Sequence, residues 1–596
     1  MSAARRGGEP PDGTAIWARL ERLLHREGNA VLMGHRDLLA LPPDERVERG
    51  ECLAGLGWLG EAPPGTIRLR CAENLSKWRR GDTLTLRSRE DERGIAVVYE
   101  RFDAATRMLI MKRDPYRGGG AVDEAAPLVL DPEPVTLHAV ALDTIASLRQ
   151  RTDPAAAAAR SVLERTAEPI SSDADERFAS RRISDETLRA LDESQKEAFL
   201  AAVTKRPVAL VQGPPGSGKT YLLAQVVAAL ARRGERILIT AYTHRAVNNA
   251  LRKLSEVDPG LDAVKVGPVH GADDLEGTGV ALLRRFGDVR PPRPGRPQVL
   301  GATLFGLRGA VGKLSFDRVV FDEAAQVPLA FAPCGMAVAS RFLFVGDHRQ
   351  MGPIVQGDHD DPLARTSVFE YLEGTYKPAF LGTTYRMNDG INAFPSRTFY
   401  GERLEAHPEV GRRRFGWVEG GAFDAVLDPE RSAVIATIHH EGFRTRSTPE
   451  ARAVADLALE MLTRQRLRPE DLAVVAPYRQ QIREIRTLLH RALDPLKIPL
   501  PVVDTVERIQ GQEREAVIVS LTASDPEYLA GEQAKFFFSP NRLNVTLTRA
   551  RTKLVIFASG HLFRAMPGSF EDLRNADLFR RLYAELPRVD LSPSYL

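Results

Sequence analysis

The segment at residues 213–220 constrains the fold of this chain more than any other feature. Its sequence, Gly-Pro-Pro-Gly-Ser-Gly-Lys-Thr, fits the phosphate-binding template G-x-x-x-x-G-K-[S/T]. An apolar run at 207–212 precedes it and is typical of a buried strand, while a helical pattern at 221–230 follows it. Because the template requires a strand, a loop and a helix in this order, we predict an α/β domain with a doubly wound parallel sheet.

The loop residues are suited to bind a nucleoside triphosphate. Glycines let backbone N–H groups converge on phosphate oxygens, and the helix N-terminus adds partial positive charge. Lys219 would reach the β- and γ-phosphate oxygens, and Thr220 would coordinate Mg²⁺. The candidate phosphate-binding residues are Gly213, Pro214, Pro215, Gly216, Ser217, Gly218, Lys219 and Thr220. A Gly-Pro turn before an ordinary helix is the alternative interpretation, and the order of the elements disfavours it.

Composition limits the remaining classes. Among 596 residues, 82 basic and 79 acidic side chains nearly balance, so any surface for a polyanion must be local. Apolar runs of membrane-spanning length and a signal peptide are not found, so we expect a soluble, cytoplasmic protein. Cys52, Cys71 and Cys334 are too few and too scattered for a disulfide framework or a zinc cluster, and packed thiols are the simpler interpretation.

The chain divides into three predicted parts. Residues 1–190 form a helical stalk, which carries a small β-barrel at about 52–142, where short strands at 66–70, 82–87, 94–100 and 107–112 are separated by turns. Residues 191–375 form an α/β domain that carries the phosphate loop. Residues 376–596 form a second α/β domain without such a loop, so we expect the nucleotide in the cleft between the two. We interpret Asp123, Glu124 and Asp131 as solvated loop charges.

A pair of carboxylates, Asp322 and Glu323, directly follows the apolar run at 318–321. A carboxylate at the end of a strand can hold Mg²⁺, and its neighbour can orient or deprotonate the attacking water. We assign Asp322 to the metal and Glu323 to the water. The pair alone would more simply be a solvated surface feature, but its place after a strand and a phosphate loop favours catalysis.

Six ordered motifs now carry a resemblance. They are 213–220, Asp322-Glu-Ala-Ala-Gln326, Val345-Gly-Asp-His-Arg-Gln350, Tyr385-Arg-Met387, Val506-Glu-Arg-Ile-Gln-Gly-Gln-Glu513 and Arg542-Leu-Asn-Val-Thr-Leu-Thr-Arg-Ala-Arg551. Over about residues 191–560 the chain resembles superfamily 1 helicases, and within them the up-frameshift-like branch. The resemblance implies two RecA-like domains in tandem, ATP and Mg²⁺ as cofactors, and ATP hydrolysis. Thr384 and Met351 depart from the usual residues of that branch.

The resemblance also implies individual roles. Gln195 would read the adenine edge, Tyr385 would stack on the base or lie beside it, and Glu513 would bind the ribose. Gln350 would sense the γ-phosphate. Arg386 and Arg549 would reach the γ-phosphate from the second domain as arginine fingers.

A single nucleic-acid strand would lie across both domains, and in the resembling branch movement runs 5′ to 3′. The candidate strand contacts are Thr243, His244, Asn248, Thr303 and Thr505, at predicted strand ends where hydroxyl and N–H groups can meet phosphates. We expect a monomer that acts on single strands and duplex junctions. A translocase that displaces bound protein and a slow ATP-dependent binding switch are the alternatives. DNA and RNA are not distinguished.

Overall fold

The computed structural model describes residues 13–595, except 79, 89–93, 104, 115–119, 135–136, 186–187, 269–271, 292–294, 312 and 532. Within these residues, N-terminal helices and a closed barrel precede two separate parallel sheets. Helices flank both sheets, and the central strands are buried on both faces. The predicted fold class, two RecA-like domains with a helical stalk and an accessory barrel, is confirmed.

The stalk helices are α1 Gly13–Ala40, α2 Pro43–Glu48, α3 His138–Gln150, α4 Pro154–Leu163 and α5 Asp173–Ser184. Helix α1 runs unbroken through Gly28, where a side chain would lie 3.2 Å from Cγ of His138 in α3. The glycine therefore lets α1 and α3 approach closely. Ile16, Leu20 and Leu24 of α1 are buried in the same core as Ile145 of α3. No helix of the described residues has the length and apolar character needed to cross a membrane.

The barrel closes in the order β1-β2-β5-β4-β3-β6. Its strands are β1 Leu53–Glu61, β2 Thr66–Arg70, β3 Thr83–Arg87, β4 Ile95–Asp103, β5 Met108–Arg113 and β6 Leu128–Pro132. In β2, Ile67 and Leu69 point inward and the residues between them point outward. The sequence pattern does not predict β1, because three glycines interrupt it.

Asp131, at the end of β6, corrects the sequence interpretation. Its side chain is 1% exposed and forms an ion pair with Arg46 of α2, which is equally buried. Arg87 of β3 lies 3.4 Å from the second carboxylate oxygen. Asp131 is therefore a buried anchor between stalk and barrel, and the expectation of a solvated charge was wrong for this residue.

The first α/β domain contains an eight-stranded sheet within the described residues, in the order β10-β9-β11-β8-β12-β13-β7-β14. The strands are β7 Val208–Gln212, β8 Ile237–Ala241, β9 Asp262–Val266, β10 Ala281–Leu283, β11 Gln298–Thr303, β12 Arg318–Phe321, β13 Phe342–Gly346 and β14 Ala379–Phe380. The helices are α6 Glu193–Thr204, α7 Lys219–Arg232, α8 His244–Val257, α9 Ala332–Met336 and α10 Val368–Glu373. Strand β14 pairs with β7, so this sheet extends beyond the boundary drawn at residue 375.

A two-stranded pair, β15 Thr383–Thr384 and β16 Glu405–Ala406, precedes the second sheet, which runs β19-β18-β20-β21-β17-β22. Its strands are β17 Ala433–Thr437, β18 Leu472–Val475, β19 Val502–Asp504, β20 Arg514–Ser520, β21 Ala550–Ala558 and β22 Arg588–Asp590. The helices are α11 Asp389–Tyr400, α12 Pro408–Gly411, α13 Asp424–Leu427, α14 Thr448–Thr463, α15 Arg479–Leu493, α16 Val506–Ile509, α17 Pro526–Ala530, α18 Gln533–Phe537, α19 Pro540–Leu547, α20 Phe570–Glu585 and α21 Ser592–Tyr595. Arg549 lies in the turn between α19 and β21.

Candidate nucleotide site and strand-binding edge

The phosphate loop connects β7 to α7 and is wound tightly around its own lysine. Gly216 and Gly218 have φ of +74° and +78°, which glycine adopts without strain. A side chain at Gly213 would lie 2.0 Å from Cγ of Lys219, so no larger residue fits there. The Lys219 ammonium donates a 2.5 Å hydrogen bond to the carbonyl of Gly213. Thr220 follows in the first turn of α7.

The carboxylate pair lies at the end of β12. Asp322 is buried, and its Oδ1 accepts a 2.9 Å hydrogen bond from the backbone N–H of Glu323. Burial, and then the neighbouring charge of Glu323, raise the pKa of Asp322 to about 7, and the charge of Lys219 opposes this shift. Oxygen ligands of this kind suit Mg²⁺, and a bound cation would stabilise the charged carboxylate. Asp322 and Thr220 are therefore chemically suited to hold the ion.

Glu323 adopts a left-handed backbone conformation with φ of +49°. Such a conformation is strained for a residue with a side chain, and strain of this kind often accompanies functional sites. Its carboxylate accepts a 3.3 Å hydrogen bond from the amide of Gln326, three positions later in the same motif. The side chain is thus oriented beside Asp322, as the assignment to the attacking water requires.

Gln195 lies against the phosphate loop, and both ends of its side-chain amide form hydrogen bonds with neighbouring backbone groups. It forms a capping box with Asp192 at the start of α6, and its Nε2 donates to the carbonyl of Ser217 at 3.1 Å. Asp192 also accepts a 2.8 Å hydrogen bond from the Tyr385 hydroxyl. The Tyr385 ring stacks on His407 with 5.1 Å between centroids. Sequence reasoning missed Asp192, although the Asp-x-x-Gln spacing is a capping-box signal.

The segment around Tyr385 contacts the phosphate loop directly. The backbone N–H of Tyr385 donates to the carbonyl of Gly216 at 2.8 Å, and the Thr384 hydroxyl donates to the carbonyl of Pro215 at 3.0 Å. Thr384, one of the two departures from the resembling branch, therefore has a defined role here. These bonds join the loop of the first domain to the chain that leads into the second.

Replacement of Gly216 by alanine should disrupt this junction. The new Cβ would lie 2.5 Å from Cβ of Arg386 and would occupy a backbone with φ of +74°. Strain at such a position costs about 1–3 kcal/mol, so we expect ATP turnover to fall at least about tenfold. Gly234→Ala is the matched control, because φ is +98° there and the space around it is open. Equal turnover in the two variants would show that the junction has no role.

Arg386 extends from this junction into the second domain. Its Nε donates to Glu513 at 2.7 Å and its Nη1 donates to the carbonyl of Thr548 at 2.9 Å. Glu513 also pairs with Arg551 at 2.5 Å. Burial would raise the pKa of Glu513, but the charges of the two arginines hold it below its ordinary value. Both carboxylate oxygens of the predicted ribose contact are thus occupied by arginines in this conformation.

Arg549, the other predicted finger, is 2% exposed. Its guanidinium donates to the carbonyls of Val545 at 2.9 Å and Gln512 at 3.3 Å, and to the Gln350 side chain at 3.4 Å. Among the described residues, no carboxylate accepts a hydrogen bond from it. Burial, and then the nearby charge of Arg386, lower the pKa of Arg549 to about 9. The guanidinium therefore stays charged at neutral pH while its partners are neutral.

A buried hydrogen-bond network ties Gln350 to the second domain, and sequence reasoning missed it. Asp347 is 1% exposed and accepts hydrogen bonds of 2.8 Å from both Gln350 and the Tyr400 hydroxyl. The Tyr400 hydroxyl accepts a 2.8 Å bond from Asn544 in α19. Asp347 belongs to the same motif as Gln350, but nothing in the sequence relates Tyr400 to it. The predicted γ-phosphate sensor thus contacts elements of the second domain through Arg549 and Asp347.

The predicted strand contacts of the first domain fall at one edge of its sheet. Strands β8 and β11 are paired; Thr243 follows β8 and caps α8, and Thr303 is the last residue of β11. Asn248, however, is buried, accepts a 3.0 Å hydrogen bond from Lys265 and donates a 2.6 Å bond to Asp274. Asn248 therefore supports this edge through hydrogen bonds inside the protein and does not present its amide on the surface.

The neighbouring side chains complete this edge. His244 lies 3.2 Å from Nζ of Lys265, whose pKa burial lowers to about 8. Tyr242 directly precedes Thr243, and Phe305 follows Thr303 by two positions. Their rings pack edge to face with 5.5 Å between the ring centroids. They line a cavity of about 1020 Å³ between α1, the barrel and the first domain. Thr505 follows β19 in the second sheet.

Comparisons with known proteins match two separate parts of the chain. Two family models described as "AAA domain" match residues 190–275 and 364–561. The DNA replication ATP-dependent helicase/nuclease DNA2 of Mus musculus is 28% identical over 446 residues, which cover 67% of this chain and 40% of that protein. Its counterpart in Saccharomyces cerevisiae is 26% identical over 417 residues, with 63% and 26% covered. The chain thus spans less than half the length of these relatives.

Among solved structures, Arterivirus nonstructural protein 10 (helicase) with DNA is 14% identical, with 81% of this chain and 73% of that chain covered and a TM-score of 0.37. The two AAA-domain matches contain four of the six ordered motifs, and the motifs at 322–326 and 345–350 lie between the two matched ranges. Together with the ordered motifs, these matches indicate a superfamily 1 helicase of the up-frameshift-like branch.

Proposed function

We propose that the protein hydrolyses ATP and uses the energy to step 5′ to 3′ along single-stranded nucleic acid, opening duplexes as it moves. The observation that carries this proposal is the buried, charged Arg549 of the second domain, which hydrogen-bonds to Gln350 of the first and has no carboxylate partner among the described residues. The charges of Glu323 and Glu513 act on Arg549 without a hydrogen bond, and a γ-phosphate bound at the loop would supply a direct anionic partner. Closure of the two domains then depends on the nucleotide.

Each residue of the site has a place in this proposal. Lys219 binds the β- and γ-phosphates, and Arg386 and Arg549 stabilise the charge that develops as the phosphoryl group transfers. Glu323 orients the attacking water. Thr220 and Asp322 hold Mg²⁺, which neutralises phosphate charge when it is bound. Gln195, Tyr385 and Glu513 hold the nucleoside, and Glu513 must exchange at least one arginine to reach the ribose.

The stepping mechanism follows from the contacts of Gln350. When the γ-phosphate leaves, Arg549 loses its charged partner, and the Gln350–Asp347–Tyr400 network transmits the change to α11 and α19. Thr243, His244 and Thr303 on one domain and Thr505 on the other would then hold the strand alternately. Neutral hydroxyl groups suit this task because they release phosphates more readily than lysines do.

We propose DNA as the substrate, because the curated relatives are named as DNA replication helicases. The test is ATP turnover measured with matched single-stranded DNA and RNA oligonucleotides at one stated salt concentration, since electrostatic affinity falls steeply with ionic strength. We expect strong stimulation by DNA and weaker stimulation by RNA, whose 2′-hydroxyl alters the contacts. Hydrolysis that neither oligonucleotide changes would refute a motor of this kind.

Strand separation is tested separately from movement. A duplex with a 5′ single-stranded tail should be unwound in an ATP-dependent displacement assay, and a duplex with a 3′ tail should not. The control displaces a tightly bound protein from single-stranded DNA. Protein displacement without unwinding at saturating ATP would replace the helicase proposal by a translocase that remodels nucleoprotein complexes.

A further inference from the structure

Residues 52–142, which include the barrel, contain equal numbers of acidic and basic side chains, but these charges are unevenly distributed over the barrel surface. Three of its carboxylates are neutralised by basic side chains: Glu61 by Arg113, Glu100 by Arg80 and Lys112, and Asp131 by Arg46 and Arg87. Four other arginines, Arg68, Arg70, Arg101 and Arg107, are exposed and have no side-chain hydrogen bond or ion pair within the described residues. Their positive charge therefore faces solvent.

The four arginines share one outer surface, formed by β2, β5 and β4 and the β4–β5 turn, which we call the arginine face. Arg68 of β2 is paired with Ile110 of β5, and Ile110 is paired with Arg101 of β4. Adjacent strands lie about 4.8 Å apart, so Arg68 and Arg101 are about 10 Å apart across the sheet. Arg107 lies beside the end of β2, where its carbonyl accepts a 3.0 Å hydrogen bond from Cys71.

Strand β1 leaves the surface beside this face open. Gly57 is paired with Arg70 and Gly60 with Arg68, so neither arginine has a side chain across from it on β1. A Cβ at Gly60 would have no atom within 4 Å. Two acidic residues of β4 border the face among the described residues, and both already have partners. Asp103 accepts hydrogen bonds from the backbone of Ala105 and Thr106, and Glu100 pairs with Arg80 and Lys112. A large anion can thus approach the arginine side chains without displacing protein groups.

The chemistry of the face suits a phosphate backbone. Arg68 and Arg70 are two residues apart on one strand, or about 6.7 Å, so their long side chains can reach separate phosphates of one backbone. The side chains between them and Arg101 are aliphatic, Met108 and Ile110. Proteins that bind single strands add aromatic side chains on which bases stack, and the described residues of this face include none that is exposed. Phosphate contacts without stacking favour a duplex.

The position of the face supports the same occupant. Residues 71–80 continue directly from Arg70, and the carbonyl of Lys77 accepts a hydrogen bond from Arg508 of the second domain. Arg508 follows the predicted strand contact Thr505 by three positions. The arginine face therefore continues toward the edge where the single strand would lie, as a junction between duplex and single strand requires.

We propose that the arginine face binds the phosphate backbone of duplex nucleic acid, independently of base sequence, and holds the duplex next to the strand-binding edge. This inference rests on the proposed helicase function, because it assigns the duplex part of that substrate. Arg68, Arg70, Arg101 and Arg107 are the contacts, and the open glycines of β1 allow the backbone to approach.

The experiment compares two variants that each remove two positive charges. Arg68→Gln with Arg70→Gln alters the face, and Arg574→Gln with Arg581→Gln alters exposed arginines of α20 as the control. Fluorescence anisotropy without ATP measures the affinity for a blunt-ended duplex, a single strand of equal length and poly-glutamate across a salt series. We expect the face variant to bind duplex at least about tenfold more weakly, with the salt slope reduced by about 2. The control should match the unaltered protein.

Single-strand affinity and strand-stimulated ATP turnover should stay unchanged in the face variant. Unchanged duplex affinity would overturn the proposal. An equal loss toward single strands would assign the face to the strand path, and an equal loss toward poly-glutamate would indicate a surface for acidic proteins, so either result would also overturn it. Turnover that the strand does not stimulate in the unaltered protein would refute the helicase function, whereas the duplex measurement, made without ATP, decides the role of the face separately.

Discussion

Lys219→Ala should reduce ATP turnover by at least about a hundredfold while leaving most single-strand affinity intact. The Lys219 ammonium lies over the phosphate loop, bonded to the carbonyl of Gly213, and the loop has no space for a side chain at that glycine. Its charge also acts on buried Asp322. Removal therefore takes away the cation that binds the phosphates and leaves the carboxylate pair without its nearby positive charge.

The measurement pairs steady-state ATP hydrolysis with strand binding by anisotropy. Lys196→Ala is the matched control, because this lysine lies on α6 of the same domain in an exposed pair with Glu193. Lys219→Arg is a second informative variant. It keeps the positive charge, but the larger guanidinium does not fit the tightly wound loop, so we expect turnover nearly as low as in Lys219→Ala. Normal turnover in Lys219→Ala would exclude 213–220 as the site of hydrolysis.

The parts of the site that were predictable are local in sequence. The strand, the loop and the helix around 213–220 follow from residues in one continuous segment, and Asp322 is identified by the apolar strand directly before it. The barrel was predicted less completely, because glycines in β1 weaken the strand pattern. Those glycines lie beside the arginine face, where an open surface is more important than strand propensity.

The residues that sequence reasoning missed depend on contacts between distant segments. Asp347 and Tyr400 are 53 positions apart and Tyr400 and Asn544 are 144 apart, and each forms one link of the buried network. Asp131 was assigned to solvent because its partner Arg46 is 85 positions away. No hydrophobic period or motif encodes such pairs. They are set by how the domains and the stalk pack.

The two proposed arginine fingers, Arg386 and Arg549, differ in the charge of their present partners. Arg386 is neutralised by Glu513, whereas Arg549 is held by backbone carbonyls and side-chain oxygens without charge. A buried cation whose partners are all neutral is costly, and an anion that approaches it gains a strong charge-assisted bond. We therefore expect a γ-phosphate to bind Arg549 with a larger gain in free energy than Arg386, because Arg386 must first release Glu513.

Arg549→Ala should accordingly leave ATP binding detectable and reduce hydrolysis by about 10³- to 10⁵-fold, the range that arginine fingers contribute. Arg549→Lys keeps a positive charge but loses the planar set of donors that reaches Gln350, Val545 and Gln512 together. We expect it to recover little of the rate. Both are measured by single-turnover hydrolysis with saturating single-stranded DNA, alongside binding of a fluorescent ATP analogue.

The control for Arg549 is Arg397→Ala, which removes an exposed arginine of the same domain, paired with Glu585 on α20. It should hydrolyse ATP at the normal rate. Because Arg549 is buried, its removal leaves a cavity, so thermal unfolding of each variant must accompany the kinetics. A variant that stays folded, binds the analogue and hydrolyses ATP normally would contradict the clamp, since no other guanidinium of the second domain is joined to Gln350 among the described residues.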